Sequence, residues 1–212
     1  MPLFNLIIMA RPFIAPALVL FFCLIMTAMS RGMGESYGVF LLPLSFHFNW
    51  DRATVASVYS IYMLNLGFGS LIAGIAFDKL GPRFNYIFGT ILLTLCYGGA
   101  SLSSNLWQLY LFLGVFGGIG AAMVGIIPTQ SLISRWFNRR LSTALSIAYS
   151  GQGLGTLLMA PTTQFLINWV GWSMAYGYAG ALFLITLILI IILPWRLISE
   201  GAKSNPSRAE GG

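Results

Sequence analysis

The sequence predicts an all-α membrane protein with six transmembrane helices. Three observations predict it. The first is composition: of 212 residues, 58% are hydrophobic and only 8% are charged, where a soluble domain carries about a quarter charged residues. The mean hydropathy is +0.83. The second is length: six apolar runs each approach or exceed the roughly 20 residues that a helix needs to cross the hydrocarbon core. The third is charge placement. Arg11, Lys79, Arg83, Arg135, Arg139, Arg140, Arg196, Lys203 and Arg208 fall on one side of the alternating runs, against Arg52 alone on the other, with Arg31 inside a run. Lysine and arginine favour the cytoplasmic side, so both termini are expected in the cytoplasm. An even number of spans agrees.

The elements follow in order. Residues 1–12 are expected to form a cytoplasmic N-terminus, retained because no basic n-region or small-residue cleavage site marks a signal peptide. The transmembrane domain is expected over 13–194. Its first run, about 13–46, exceeds one crossing, so it is either tilted or continued beyond the lipid. The second, about 53–77, follows Asp51, a suitable N-cap. The third covers about 84–103, and Ser104-Asn105 turns the chain. The fourth, about 107–133, contains Pro128, a candidate kink. A basic loop leads to the fifth, about 141–170. Gly171-Trp172 turns into the sixth, about 174–193, which Pro194 ends. The remainder, 195–212, is rich in Ser, Gly, Pro and charge and is expected to be a cytoplasmic tail or a truncated linker.

Several classes are excluded. The net charge of +6 is spread over short loops rather than one face, which speaks against nucleic acid. Cys23 and Cys96 lie within apolar runs and read as small core residues without a disulfide. His47 is the single histidine and has no companion ligand, so no metal is expected. Ser150-Gly151-Gln152-Gly153-Leu154-Gly155 is glycine-rich but has no strand before it, so no nucleotide cofactor is expected. No nucleophile accompanied by a base is visible, and enzymatic activity is not expected.

The polar break at 74–83 (Gly-Ile-Ala-Phe-Asp-Lys-Leu-Gly-Pro-Arg) carries the first resemblance. Gly74, Asp78, Lys79, Gly81 and Arg83 fit Gly-x-x-x-Asp-(Arg/Lys)-x-Gly-x-(Arg/Lys), the loop between helices 2 and 3 of the major facilitator superfamily. Asp78 sits at a helix C-terminus, where negative charge is disfavoured, so it is expected to pair with a cation or with another helix N-terminus. Tyr37-Gly38-Val39-Phe40, the stretch Arg135-Trp136-Phe137-Asn138-Arg139-Arg140 followed by Ala144 and Gly151, and Gly171-Trp172 resemble the monocarboxylate transporter and oxalate/formate antiporter branch. The resemblance covers the chain up to its tail. It implies the N-terminal half of a major facilitator fold, a three-plus-three inverted repeat whose substrates cross by alternating access. Internal repetition of letters is faint, so the repeat is expected from topology alone.

Two departures qualify this. Carriers of that branch place a lysine before Gly-Val-Phe, where this chain has Glu35. Anion transport would then require Arg31 to take over the role. Drug/proton antiporters place an arginine in span 4 before a Gly-x-Gly-Ala-Ala run; Gly114 holds that place here. The superfamily also implies twelve helices, so the chain is read as a half that dimerises, a split-gene product or a truncated frame. It would need a second six-helix half, as a homodimer or separate chain, besides the lipid bilayer and a small organic solute carried with or without protons. The expected location is the plasma (inner) membrane.

Arg31 and Glu35 are the leading site candidates, because they share one helix face and intramembrane charge is costly and usually functional. The bland alternative is an ion pair that snorkels to water. Tyr37, Tyr59, Tyr62 and Asn65 are candidates to line a cavity, with interhelical hydrogen bonding as the alternative. Gln130 and Gln152 are weaker candidates of the same kind. The small residues of span 4, Gly114, Gly118, Ala122 and Gly125 among them, are expected to serve close helix packing. The favoured role is a secondary transporter of a small organic solute, a monocarboxylate among the candidates. A non-transporting assembly partner or a non-functional truncated remnant is the alternative.

Overall fold

The structure is a computed structural model. It describes residues 2–137, 140–193, 195 and 198, with side chains from residue 16 onward. The expected tail 195–212 therefore lies outside the described residues except for Trp195 and Ile198. So do Asn138, Arg139, Pro194, Arg196, Lys203, Arg208 and the side chain of Arg11.

The described residues are helical nearly throughout, with no strand among them. The helices are α1 (Pro2–Glu35), α2 (Tyr37–Phe48), α3 (Arg52–Ser101), α4 (Leu106–Leu109), α5 (Gly117–Val124), α6 (Ile126–Trp136), α7 (Leu141–Val170) and α8 (Trp172–Ile192). A π-helical stretch, Tyr110–Phe116, joins α4 to α5. Among the described residues, four stretches are long and apolar enough to cross a membrane: Pro16–Phe48, Arg52–Ser101, Leu106–Trp136 and Trp172–Ile192.

Each boundary has a local cause. Between α1 and α2 the helix tightens at Ser36, whose amide and hydroxyl both donate to the Gly32 carbonyl, at 3.1 and 2.7 Å. A serine hydroxyl competing for a backbone carbonyl bends a helix in this way. Asn49 ends α2 with φ 52°, ψ 40°, and the Trp50 amide returns to the Ser45 carbonyl; asparagine tolerates this left-handed position. Asp51 caps α3 by accepting from the Ala53 amide at 3.3 Å. At 1.5 Å per residue, 50 residues would extend about 75 Å, more than twice the hydrocarbon thickness. The chain instead turns at Gly81, with φ 84° and ψ 171°, a region open essentially to glycine alone. Asn105 and Gln108 form a reciprocal capping box at the start of α4. Gly171, at φ 85° and ψ 167°, both ends α7 and begins α8.

The fourth stretch breaks at Gly125 (φ −83°, ψ −138°), one turn before Pro128, where the carbonyl that this proline cannot bond lies. Pro128 falls in the first turn of α6, where its missing N–H is not needed. The break leaves carbonyls of the preceding turn without helical partners, and side chains supply some. Ser30 donates to the Ala121 carbonyl at 3.3 Å, and Asn85 Nδ2 donates to that of Met123 at 3.2 Å.

Small residues set the packing. α1 lies against α7 through Gly151 and Gly155: a Cβ on Gly151 would meet the Leu24 carbonyl oxygen at 2.5 Å, and one on Gly155 would collide with the Ala28 carbonyl. Thr27 crosses the same seam, donating to the Ala148 carbonyl at 2.8 Å. α5 lies against both arms of α3, with Gly118 on the Tyr62 carbonyl and Gly120 on that of Gly89. α8 meets the second arm of α3 where Gly180 faces Gly98. Such approaches are how helices associate in lipid, where no hydrophobic force draws them together. The innermost side chains include Phe40, Tyr86, Leu93, Tyr176 and Phe183, each at most 1% exposed. Cys23 and Cys96 are buried and unpaired.

Candidate functional site

α1, the first arm of α3, α5, α6 and α7 surround an open cavity of about 60 Å³. Its walls include Thr27, Ser30, Arg31, Tyr62, Ser70 and Gln152. Arg31 supplies its charge. The guanidinium binds Glu35 at 2.9 Å, with the two side chains 35% and 31% exposed. Four residues on one helix bring them together. Tyr59, on the neighbouring arm of α3, donates to Glu35 Oε2 at 3.2 Å. The carboxylate is thus held by two helices, and Arg31 is steered along the cavity wall by its tether.

The other expected site residues divide. Tyr62 is buried and lines this cavity. Its hydroxyl lies against Gly34, close enough to collide with any side chain there. Tyr37 is buried, belongs to α2, and spends its hydroxyl on the Val55 carbonyl at 2.7 Å. That is an interhelical bond, and Tyr37 stands with Tyr59 and Tyr62 in a stack whose rings are 5.7 and 5.6 Å apart. Asn65 returns its amide to Ile61 of its own helix, at 2.9 Å, and lines no described cavity. Gln152 lines the cavity; Gln130 lies on the exposed side of α6 and does not.

Thr27, Ser30 and Ser70 were not among the sequence candidates. A signal existed for the first: Thr27 precedes Arg31 by four residues and so shares its face. Ser30 and Ser70 had none, because short hydroxyl side chains are common in membrane helices as packing residues.

At the other end, Gly74, Asp78, Lys79, Gly81 and Arg83 surround the turn in α3. Asp78, Lys79 and Arg83 are exposed. Asp78 makes no hydrogen bond or ion pair among the described residues, so the partner expected for it is not within this part of the chain. One residue away, the guanidinium of Arg135 lies over the Phe77 ring at 4.6 Å, a cation–π contact. Arg135 thereby joins the two basic loops. His47 is exposed and rests against Phe48 and Trp172, ring centroids 4.8 and 5.2 Å away. Among the described residues no group of three His, Cys, Asp or Glu is placed to hold a metal ion.

The family model of the Major Facilitator Superfamily matches residues 20–211. The chain belongs to the major facilitator superfamily. Within it, the similarity is to the monocarboxylate branch. Monocarboxylate transporter 13 of Bos taurus is 33% identical over 180 residues, which is 85% of this chain and 39% of the relative. Monocarboxylate transporter 11 of Homo sapiens is 30% identical over 182 residues, 85% and 38% respectively. An uncharacterized MFS-type transporter, YcxA of Bacillus subtilis, is 25% identical over 174 residues, 82% of this chain and 43% of that one. The chain thus spans about two-fifths of the length of these relatives.

The fold agrees. A crystal structure of the peptide transporter POT in complex with alafosfalin superposes with a TM-score of 0.74 at 14% identity, covering 90% of this chain and 42% of that one. A POT family transporter in complex with 5-aminolevulinic acid gives 0.70 at 19%, covering 86% and 38%. This member of the superfamily is therefore a multi-pass integral membrane protein with half of the superfamily's helical fold.

Proposed function

We propose that the chain is one six-span half of a secondary transporter for a small organic anion, a monocarboxylate by class, working by alternating access. The single observation that carries this is Arg31, a cation lining an open cavity midway along its span. The monocarboxylate relatives support the substrate class. Arg31 stands one helical turn before Glu35, the position where that branch places a lysine, and offers the positive charge that a carboxylate there would otherwise remove. The six spans of this reading are 16–48, the two arms of α3, 106–136, α7 and α8. α7 owes its lower apolarity to Ser, Gln, Thr and Asn, of which Gln152 lines the cavity.

A cavity of about 60 Å³, open on one side, encloses no solute by itself; ligand sites bury most of the ligand. A facing six-helix half, from a second copy or another chain, completes it, and the two rock about the site. Asp78, exposed and unpaired among the described residues, supplies a contact to that half on the inner side. A gradient of protons or of the solute itself drives the cycle in this reading. The membrane is the plasma (inner) membrane with both termini cytoplasmic.

The test is uptake of labelled lactate by proteoliposomes holding the purified protein, under an inward proton gradient, beside Arg31→Gln. Uptake that Arg31→Gln removes is expected. A wild-type protein that neither dimerises, binds nor moves lactate would overturn the reading in favour of a non-transporting assembly partner.

A further inference from the structure

The polar side chains around the Arg31 cavity differ in what they have left to offer. The Thr27 hydroxyl donates to the carbonyls of Cys23 and Ala148 at 2.9 and 2.8 Å, that of Ser30 to Ala121 at 3.3 Å, and that of Ser70 to Leu66 at 2.7 Å. A hydroxyl has one proton, so these three keep only lone pairs with which to accept. Arg31 is held by Glu35, and its fork retains further N–H donors. Tyr62 stands between this outer cavity and a second, inner one of about 20 Å³, which Tyr97 and Tyr176 also line. Its hydroxyl lies against Gly34, a residue of the inner cavity and not of the outer one.

Gln152 is different. It lines the outer cavity, and its side-chain amide forms no hydrogen bond with any described residue; the Thr156 hydroxyl bonds its backbone carbonyl instead, at 3.1 Å. α7 carries two other side-chain amides, and on its exposed face they satisfy each other, Gln164 donating to Asn168 at 3.0 Å. A polar group within a span is costly without a partner. The amide that has none is the one on the cavity wall. Its position is fixed: Gly151, next to it, lies against the Leu24 carbonyl, and the Thr27–Ala148 bond ties α7 to α1 one turn before Arg31. Arg31 and Gln152 are thus carried on one rigid pair of helices, as a binding constellation requires.

We propose that Gln152 is a specificity-determining residue of the outer cavity, and that its solute is a short hydroxy-monocarboxylate. Arg31 takes the carboxylate, and the Gln152 amide pairs with the hydroxyl. This rests on the carboxylate reading given above and adds the second polar group of the solute. A hydroxyl both donates and accepts, so it matches the amide and also the accepting oxygens of Ser30 and Ser70. An ammonium group has no counter-charge on these walls, where Arg31 is the one charged residue among those described. An unsubstituted acid leaves the amide bare, and a site built to bond a hydroxyl discriminates against the analogue that lacks it.

Isothermal titration of the full chain in nanodiscs, at neutral pH and fixed ionic strength, tests this with two pairs of probes: lactate against propionate, and 3-hydroxybutyrate against butyrate. In the unaltered protein at least one hydroxy acid is expected to bind about threefold to tenfold tighter than its parent, the worth of one hydrogen bond. Gln152→Leu is expected to bring that ratio to about one, and Arg31→Gln to lose both acids. Equal affinities within both pairs in the unaltered protein overturn the inference and leave the carboxylate reading standing. A ratio that survives Gln152→Leu overturns the assignment of Gln152. Binding of none of the four acids overturns the carboxylate reading and the inference with it. Should Gln152→Leu not fold, Gln152→Met, closer in shape and equally without an amide, takes its place.

Discussion

Tyr59 donates its hydroxyl to Glu35 at 3.2 Å, fastening the first arm of α3 to the charged pair on α1. The bond joins two helices through a partly exposed carboxylate that also holds Arg31. Hydrogen bonds to charged groups contribute about 1.5–3 kcal/mol when buried, and exposure reduces this. Tyr59→Phe is expected to cost about 1 kcal/mol, a fall of roughly 2–4 °C in melting temperature for a chain of this size. Thermal unfolding in detergent measures it. An unchanged melting temperature would mean that the bond adds nothing to the fold.

Glu35 also neutralises Arg31, so removing its charge has a binding consequence under the proposed function. Glu35→Gln leaves the guanidinium without its counter-charge beside the cavity. Partly exposed ion pairs are worth about 0–1 kcal/mol, so lactate affinity is expected to rise up to about fivefold. Isothermal titration at fixed ionic strength reads this, and Arg31→Gln should lose binding in the same assay. Weaker binding in Glu35→Gln would assign the carboxylate to the ligand instead.

Two glycines of α7 should respond oppositely to alanine. A Cβ on Gly155 runs into the backbone of Ala28, while one on Gly153 meets nothing within 4 Å. Gly153→Ala is expected to stabilise by up to about 1 kcal/mol through helix propensity. Gly155→Ala is expected to destabilise by about 1–3 kcal/mol, because overpacking forces the backbones apart. Melting temperatures of the two variants, measured side by side, decide. A shift of the same sign in both would contradict the α1–α7 seam.

Gly81→Ala tests the turn within α3. The φ of 84° with ψ of 171° is a conformation that costs a non-glycine residue about 1–3 kcal/mol. Loss of stability is expected although the position has open space around it. Gly98→Ala, also in open space but at helical dihedrals, is the matched control and should be neutral or better.

Asp78 yields the opposite expectation. With no described partner, Asp78→Asn should leave insertion and melting temperature unchanged. On the proposed reading it should slow lactate uptake by proteoliposomes severalfold. Uptake equal to the unaltered protein would remove Asp78 from the gate.

Much of this architecture was legible because its causes are local. Asp51 as a cap, Gly81 as a turn and Gly171 as a helix boundary each follow from one residue's own chemistry. The pairing of Arg31 with Glu35 follows from spacing on a single helix. The break at Ser36 and the π-helical stretch were not legible. Ser36 is an ordinary letter in an apolar run, and its competing hydroxyl belongs to the folded arrangement, as do the rescuing donors Ser30 and Asn85 at the second break. Pro128 was a usable signal: a proline leaves the carbonyl four residues before it, here that of Val124, without a partner, and the break falls beside it at Gly125. Among site candidates, Arg31, Tyr62 and Gln152 reached the outer cavity, while the Tyr37 hydroxyl was taken up by a carbonyl of the neighbouring α3 and the Asn65 amide by one of its own preceding turn.

One side chain, Tyr62, has a face on each of the two cavities, like a party wall between adjoining rooms. Space and polarity on either side are therefore not independent. A substitution that trims this ring therefore enlarges both spaces at once, and one meant to enlarge the outer space alone has to fall on the hydroxyl-bearing walls at Thr27, Ser30 or Ser70 instead.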